Sequence, residues 1–288
     1  MELTIITQAI LSGILIGGVY ALVAIGLTLI FGVMRIINFA HGALLMLGMY
    51  ISYWLFSLLK IDPYISLLMT IPFLFLIGVV LQKFIINRVI DKPHETQILL
   101  TMGIMLFLEN LALFLWSPDP RALAGYYLIG KAIPFLNVSV SISKLIAFAF
   151  TLVIALVLYV FLKKTFLGKT IRATKDDVEG AFTVGINANR VYVIAFAIGS
   201  ACVGAAGTII VPFFYVSPHV GRVFLLNAFM VVVIGGMGSF GGALIGGLII
   251  GLAESLGAIF MPGGLKQIMS FLIFILILLV KPSGIFGR

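Results

Sequence analysis

Apolar runs long enough to cross a bilayer follow one another along almost the whole chain, and no other feature limits the fold as strongly. A transmembrane helix needs about 20 predominantly apolar residues, because a rise of about 1.5 Å per residue must cover a hydrocarbon core of about 30 Å. Residues 5–31, 39–59, 64–86, 96–116, 144–162 and 191–214 meet that requirement. In hydrocarbon every backbone N–H and C=O must find its partner inside the protein, so such runs form helices. Of the 288 residues, 62% are hydrophobic and only 10% charged, with a mean hydropathy of +1.26. Soluble globular domains do not have that balance. These observations predict an all-α fold, a polytopic transmembrane helical bundle forming one domain over residues 1–288.

Local punctuation divides the bundle. A polar break at 35–38 separates the first two spans, and Pro63 disfavours helix at Asp62, which makes 60–63 a turn. Pro72 falls inside the third span, where a kink is expected. Residues 117–120, Ser-Pro-Asp-Pro, close the fourth span. A longer, weakly charged loop at 121–143 contains a mildly apolar stretch suited to the interface. Residues 224–256 are too long and too glycine-rich for one span. The run Gly235-Gly236-Met237-Gly238-Ser239-Phe240-Gly241-Gly242 breaks them into two helices, short or incomplete as crossings. With a last span at 266–280, the count is eight to ten membrane segments. Residues 1–8 carry Glu2 and no cation, unlike the basic start of a cleaved signal, so the first run is expected to remain a span.

The longest polar interval, residues 163–190, reads KKTFLGKTIRATKDDVEGAFTVGINANR. It is too long and too patterned for a plain connection. Gly168 and Gly185 bracket a short helix, in which Ile171, Val178, Ala181, Phe182 and Ile186 make a loose apolar set between charges. A helix of that kind in an aqueous loop is built to dock on something. Its basic excess places it on the cytoplasmic side. Alternation of the spans then puts Arg35, Lys83, Arg88, Lys92, Lys281 and Arg288 on that side too, and Lys60, Arg121, Lys131, Lys144, Arg222 and Lys266 outside. Of the 18 Lys and Arg residues, 12 therefore lie inside and 6 outside, predicting an external N-terminus and a cytoplasmic C-terminus. That bias accounts for the net charge of +8 without nucleic acid, since no basic cluster is interleaved with aromatics.

Polar groups in the apolar phase are costly and face the bundle interior or water. Asn38, His41, Glu109, Asn110 and Asn227, with the glycines Gly235, Gly236 and Gly238, are the candidates for a translocation path. Broken helices are tolerated in membranes where they line a cavity or are buried in protein. His41 is expected at the interface as a hydrogen-bonded helix start, and Glu254 near the outer end of its helix. No cation lies inside the spans to neutralise Glu109 or Glu254. Ser200, Ala201, Gly204 and Ala205, and later Gly242, Gly246, Gly247 and Gly251, are small-residue pairs that let helices approach closely. The lone Cys202 excludes an internal disulfide and CxxC chemistry. The sequence has no metal cluster, no nucleophile–base pair and no GxxxxGK[ST] loop, so the chain is not expected to be an enzyme or to hydrolyse a nucleotide.

Three stretches carry a family resemblance. Gly17-Gly18-Val19-Tyr20-Ala21-Leu22 through Gly26-Leu27-Thr28-Leu29-Ile30-Phe31-Gly32, followed by Ile37-Asn38-Phe39-Ala40-His41-Gly42, resembles the N-terminal part of branched-chain amino-acid ABC transporter permeases of the LivH type. Gly168-Lys169 to Arg172-Ala173 with Gly185-Ile186-Asn187, and Gly235-Gly236-Met237-Gly238-Ser239 to Gly242, resemble the same family in the same order. Related permeases for urea and short amides look alike. The resemblance implies a permease subunit of the bacterial inner membrane that takes branched-chain amino acids from an external substrate-binding protein. It implies a second permease subunit, of LivM type, and two cytoplasmic ATPase subunits that bind the ATP, this chain holding no cofactor. It also implies a coupling helix for docking the ATPase. Glu179-Gly180-Ala181-Phe182-Thr183-Val184-Gly185 is similar to the EAA–three–Gly pattern of such helices, with Gly180 in place of the middle Ala. Arg172, Asp176, Asp177, Glu179, Ala181, Phe182, Gly185 and Ile186 are then the coupling residues. A secondary transporter is the rival from another class, since it too uses broken helices and membrane carboxylates. It should show matching breaks in two halves, and one obvious glycine break is present.

Overall fold

A computed structural model describes residues 2–135, 138–261 and 263–287; Arg288, placed inside on charge, lies outside the described residues. Among the described residues, eleven α-helices follow in order: α1 (Glu2–Met34), α2 (Ala40–Leu59), α3 (Leu67–Phe84), α4 (His94–Trp116), α5 (Ile142–Lys164), α6 (Phe166–Asp176), α7 (Val178–Thr183), α8 (Ala188–Ile210), α9 (Val220–Gly235), α10 (Phe240–Phe260) and α11 (Lys266–Val280). Eight helical stretches among the described residues are long and apolar enough to cross a membrane, and α9, at 16 residues, is a shorter apolar helix beside them. The all-α bundle expected from hydropathy is what forms. One addition to it is an antiparallel hairpin, β1 (Ala132–Phe135) with β2 (Val138–Ser141), inside the long loop at 121–143.

Burial sorts the helices into a centre and a rim. The apolar window of α8 is 83% buried and that of α1 78%, against 22% for α5 and 6% for the stretch containing α11. The centre is therefore α1 and α8, with α10, α2 and α9 packed on them. Lipid offers no hydrophobic push between helices, so close backbone approach must supply the attraction. A Cβ at Gly13 would stand 2.9 Å from the Gly251 carbonyl oxygen, and one at Gly17 2.8 Å from that of Gly247. Only glycine permits α1 and α10 to lie that close. Gly48 of α2 stands against Gly204 of α8 in the same way.

Contacts between loops identify two ends. At one, the Gln8 side chain pairs with the backbone of Ser139, Arg121 exchanges both backbone hydrogen bonds with Val216, and the Tyr126 hydroxyl donates to Asp62. At the other lie α6 and α7, the α9–α10 turn and the C-terminal tail, where the Ile285 N–H donates to the Ile234 carbonyl at 2.7 Å. The two chain termini thus sit at opposite ends of the bundle.

The glycine run is a turn at the α6–α7 end, and both helices beside it are continuous. The run thus divides this stretch into two helices, as expected, and α9 is the short one. Gly236 and Gly238 have φ of +89° and +86°, a conformation that costs other residues strain. Ser239 then caps α10, its hydroxyl accepting from the Gly242 N–H at 3.1 Å.

Candidate functional sites

The interval 163–190 folds as two helices rather than one. Thr165 caps α6 by accepting from the Gly168 N–H at 3.0 Å, so Gly168 lies inside the helix and does not bracket it. A side chain at Gly168 would strike the backbone of Phe161 and Leu162, so its absence lets α6 fold back against the end of α5. The chain becomes extended at Asp177, and α7 follows. Gly185 ends α7 with φ +81°, and Asn187 caps α8 by accepting from the Arg190 N–H at 3.1 Å.

The two helices split their apolar residues between two directions. Ile171 and Ala181 are buried against the chain itself, while Phe182 and Val184 are 58% and 74% exposed. Ala181, read as part of the docking contact, is instead part of the seat of α7. Ile186 is half-buried, and Arg172, Asp176, Asp177, Glu179 and Gly185 are exposed. The Arg172 guanidinium lies 3.4 Å from the Lys163 carbonyl at the end of α5. Lys175 is fixed as well: its Nζ donates to the Gly238 carbonyl at 2.9 Å, which ties α6 to the glycine turn. Lys175, Asp176, Asp177, Val178 and Glu179 line a cavity of about 340 Å³ together with Arg35 and Tyr192.

The membrane candidates do not form one path. Asn38 and His41 are fully buried at the entry to α2, close to the α6–α7 end. An imidazole nitrogen of His41, Nε2, lies 3.0 Å from the Val23 carbonyl, and both amide atoms of Asn38 lack a protein partner. His41 stands in the first turn of α2, as read from the sequence, and the hydrogen bond of its ring runs across to α1 rather than to its own helix start. Asn110 is exposed on the rim and donates to Leu106 of its own helix, pointing away from its neighbour Glu109. Gly235 packs on the backbone of Gly242, and Gly236 on that of Gly287.

Both buried carboxylates have cations, contrary to the expectation that none was available. Glu109 of α4 is 2% exposed and accepts from Arg222 Nε at 2.9 and 3.1 Å and from Arg222 Nη2, a bidentate pair with α9. His219 Nδ1 lies 3.2 Å from the same carboxylate. Glu254 of α10 is bonded to Lys266 Nζ at 2.6 Å, to the Tyr20 hydroxyl of α1, and to the Asn227 amide of α9 at 3.4 Å. The sequence marked Glu109, Asn227 and Glu254 as costly. The cations, Arg222 just before a predicted span and Lys266 at the first residue of the last one, were placed on the outer side and went unmatched.

Among the described residues, eight helical stretches long and apolar enough to cross a membrane, tied together by inter-helical ion pairs, define a multi-pass helical membrane protein. The family described as branched-chain amino acid transport system, permease component, matches residues 9–278. The chain is 32% identical to the high-affinity branched-chain amino acid transport system permease protein LivH of Salmonella typhimurium, covering 98% of this chain and 95% of that protein. It is 30% identical to BraD of Pseudomonas aeruginosa, with the same coverage, and 30% identical to a probable LivH of Methanocaldococcus jannaschii over 97% and 92% of the two chains. No solved structure gives a match. The chain belongs to the branched-chain amino acid permease family.

Proposed function

We propose that this chain is the membrane permease subunit of an ATP-driven importer for branched-chain or related small apolar amino acids. In this reading an external binding protein delivers the substrate at the hairpin end, and two ATPase subunits act at the α6–α7 end, on the cytoplasmic side of the inner membrane. A second permease subunit completes the pathway. The observation that carries it is the likeness to high-affinity permeases over nearly the whole chain. The geometry fits: α6 and α7 join the ends of α5 and α8, and they expose Phe182 and Val184, apolar groups that a soluble partner would cover. Lys175 links the same unit to the α9–α10 turn, so a push on α6 reaches four spans.

Inside-out vesicles holding the assembled transporter test this directly. With ion gradients collapsed, leucine movement should require ATP on the α6–α7 side and stop with a non-hydrolysable analogue. Movement driven by an imposed ion gradient without ATP would replace the reading with a secondary transporter.

A further inference from the structure

At the hairpin end a cavity of about 700 Å³ opens between α1, α5, α9, α10 and α11, within the size range of small-molecule sites. Its charged lining consists of Lys144, Lys266 and Glu254. Glu254 is 6% exposed and already holds Lys266 at 2.6 Å. Lys144 is in a different position. Its Nζ donates to Ser12 Oγ at 3.0 Å, and no carboxylate among the described residues pairs with it. Two ammonium groups therefore share one chamber with a single carboxylate, and one positive charge has no counter-ion. A half-buried cation in an apolar protein end is costly, and an anionic ligand would remove that cost.

The rest of the lining is apolar. Ile16, Phe213, Phe214 and Phe224 form a wall, with the Phe214 and Phe224 rings edge to face at 5.2 Å. Positive charge, negative charge and an aromatic wall in one chamber match the three parts of a single kind of molecule. We propose that this cavity binds a small apolar α-amino acid as its zwitterion. Lys144 receives the carboxylate, Glu254 the ammonium, and the phenylalanine wall the side chain. Lys266, 42% exposed at its side chain, yields Glu254 to the incoming ammonium by turning to water. Urea and short amides, which carry neither charge, would leave Lys144 uncompensated. The inference rests on the transport reading and deepens it. It places substrate recognition in the permease itself, at the end opposite α6 and α7.

The test is protection of a cysteine at the mouth of the cavity. Ala258 is exposed there, and Ala258→Cys in a Cys202→Ala background gives one reactive thiol. In the purified permease in lipid nanodiscs, L-leucine should slow its reaction with a polar methanethiosulfonate. 4-Methylpentanoate, lacking the ammonium, and 3-methylbutylamine, lacking the carboxylate, should each need about tenfold more for the same protection, the worth of one charge-assisted hydrogen bond. Lys144→Gln should raise the half-protecting leucine concentration about tenfold, and Lys144→Arg should largely restore it. The ligand series leaves the three charges unmutated, so it stands even where Lys144→Gln fails to fold. Absence of leucine protection, protection by the amine alone at equal concentration, or indifference to Lys144→Gln would each overturn the site. The assay needs no ATP and no partner. Leucine uptake by cells without protection therefore sinks the cavity alone, whereas loss of both sinks the transport reading.

Discussion

The Glu109–Arg222 pair is asymmetric, and the asymmetry decides what its loss would do. Glu109 is 2% exposed, while the Arg222 side chain is 50% exposed. Removing Arg222 strands a carboxylate in the bundle with only His219 beside it. Removing the Glu109 charge leaves a guanidinium that water already reaches. Breaking a fully buried pair costs about 3–5 kcal/mol, and the solvent at Arg222 reduces that to about 1–3 kcal/mol here. Arg222→Ala should therefore lower the detergent melting temperature clearly more than Glu109→Gln, measured by fluorescence-detected size exclusion. Equal losses would contradict this asymmetry. The sequence showed that Glu109 was anomalous because a carboxylate among leucines needs a reason. It could not show the partner, because Arg222 lies 113 positions away and only the packing of α4 near α9 brings them together.

Among the elements, α6, α7 and the α9–α10 turn act as one unit through Lys175 and Gly238. The exposed face is the one to disrupt for docking. Phe182→Asp and Val184→Asp should abolish co-purification of ATPase subunits while the bundle still folds, because neither side chain is used inside the chain. Ala181→Trp should do something else, displacing α7 from its seat and lowering yield, since Ala181 is 3% exposed. Equal behaviour of the three variants would contradict this division of the helix. Lys175→Ala cuts the bond to Gly238 at 2.9 Å. It should leave ATPase binding intact and reduce substrate-stimulated ATP hydrolysis several-fold, while unchanged stimulation would show that the link carries no signal. Gly238→Ala adds strain of about 1–3 kcal/mol at a φ of +86° and should weaken the same coupling. Span limits were legible because hydropathy sums over some 20 residues and tolerates local error. Glycine density at 235–242 was legible as a break, but the exact helix ends were not. The Ser239 cap and the backbone contacts of the turn fix where the two helices end, and neither follows from glycine content. The hairpin escaped notice because four residues per strand are too few for alternation to stand out.

At the scale of the whole molecule, the bundle has two chemically different ends, and orientation follows from which one holds the basic residues. The α6–α7 end collects Arg35, Lys83, Arg88 and Lys92 with the cations of residues 163–190 and Lys281, whereas the hairpin end has Lys60, Arg121, Lys131, Lys144, Arg222 and Lys266. Of the latter, Arg222 and Lys266 are held by carboxylates, which further reduces the free positive charge that would have to cross the membrane. Retention of Lys and Arg on the cytoplasmic side therefore predicts the α6–α7 end inside. α9 and α10 fold back on each other at the glycine turn; with α9 counted as a passage beside the eight longer helices, the same bias predicts an N-terminus outside and a tail inside. Single cysteines at Lys131, Lys92 and Asp176, all exposed positions, in a Cys202→Ala background report the two ends separately. An impermeant maleimide should label Lys131→Cys in intact cells and the other two only after the membrane is opened. Labelling of Asp176→Cys from outside would turn the bundle over, and with it the assignment of α6 and α7 to a cytoplasmic ATPase. If Lys92→Cys and Asp176→Cys fell on opposite sides, the alternation through α4 and α5 would itself be wrong. The experiment thus tests the orientation and the path of the chain with the same three variants.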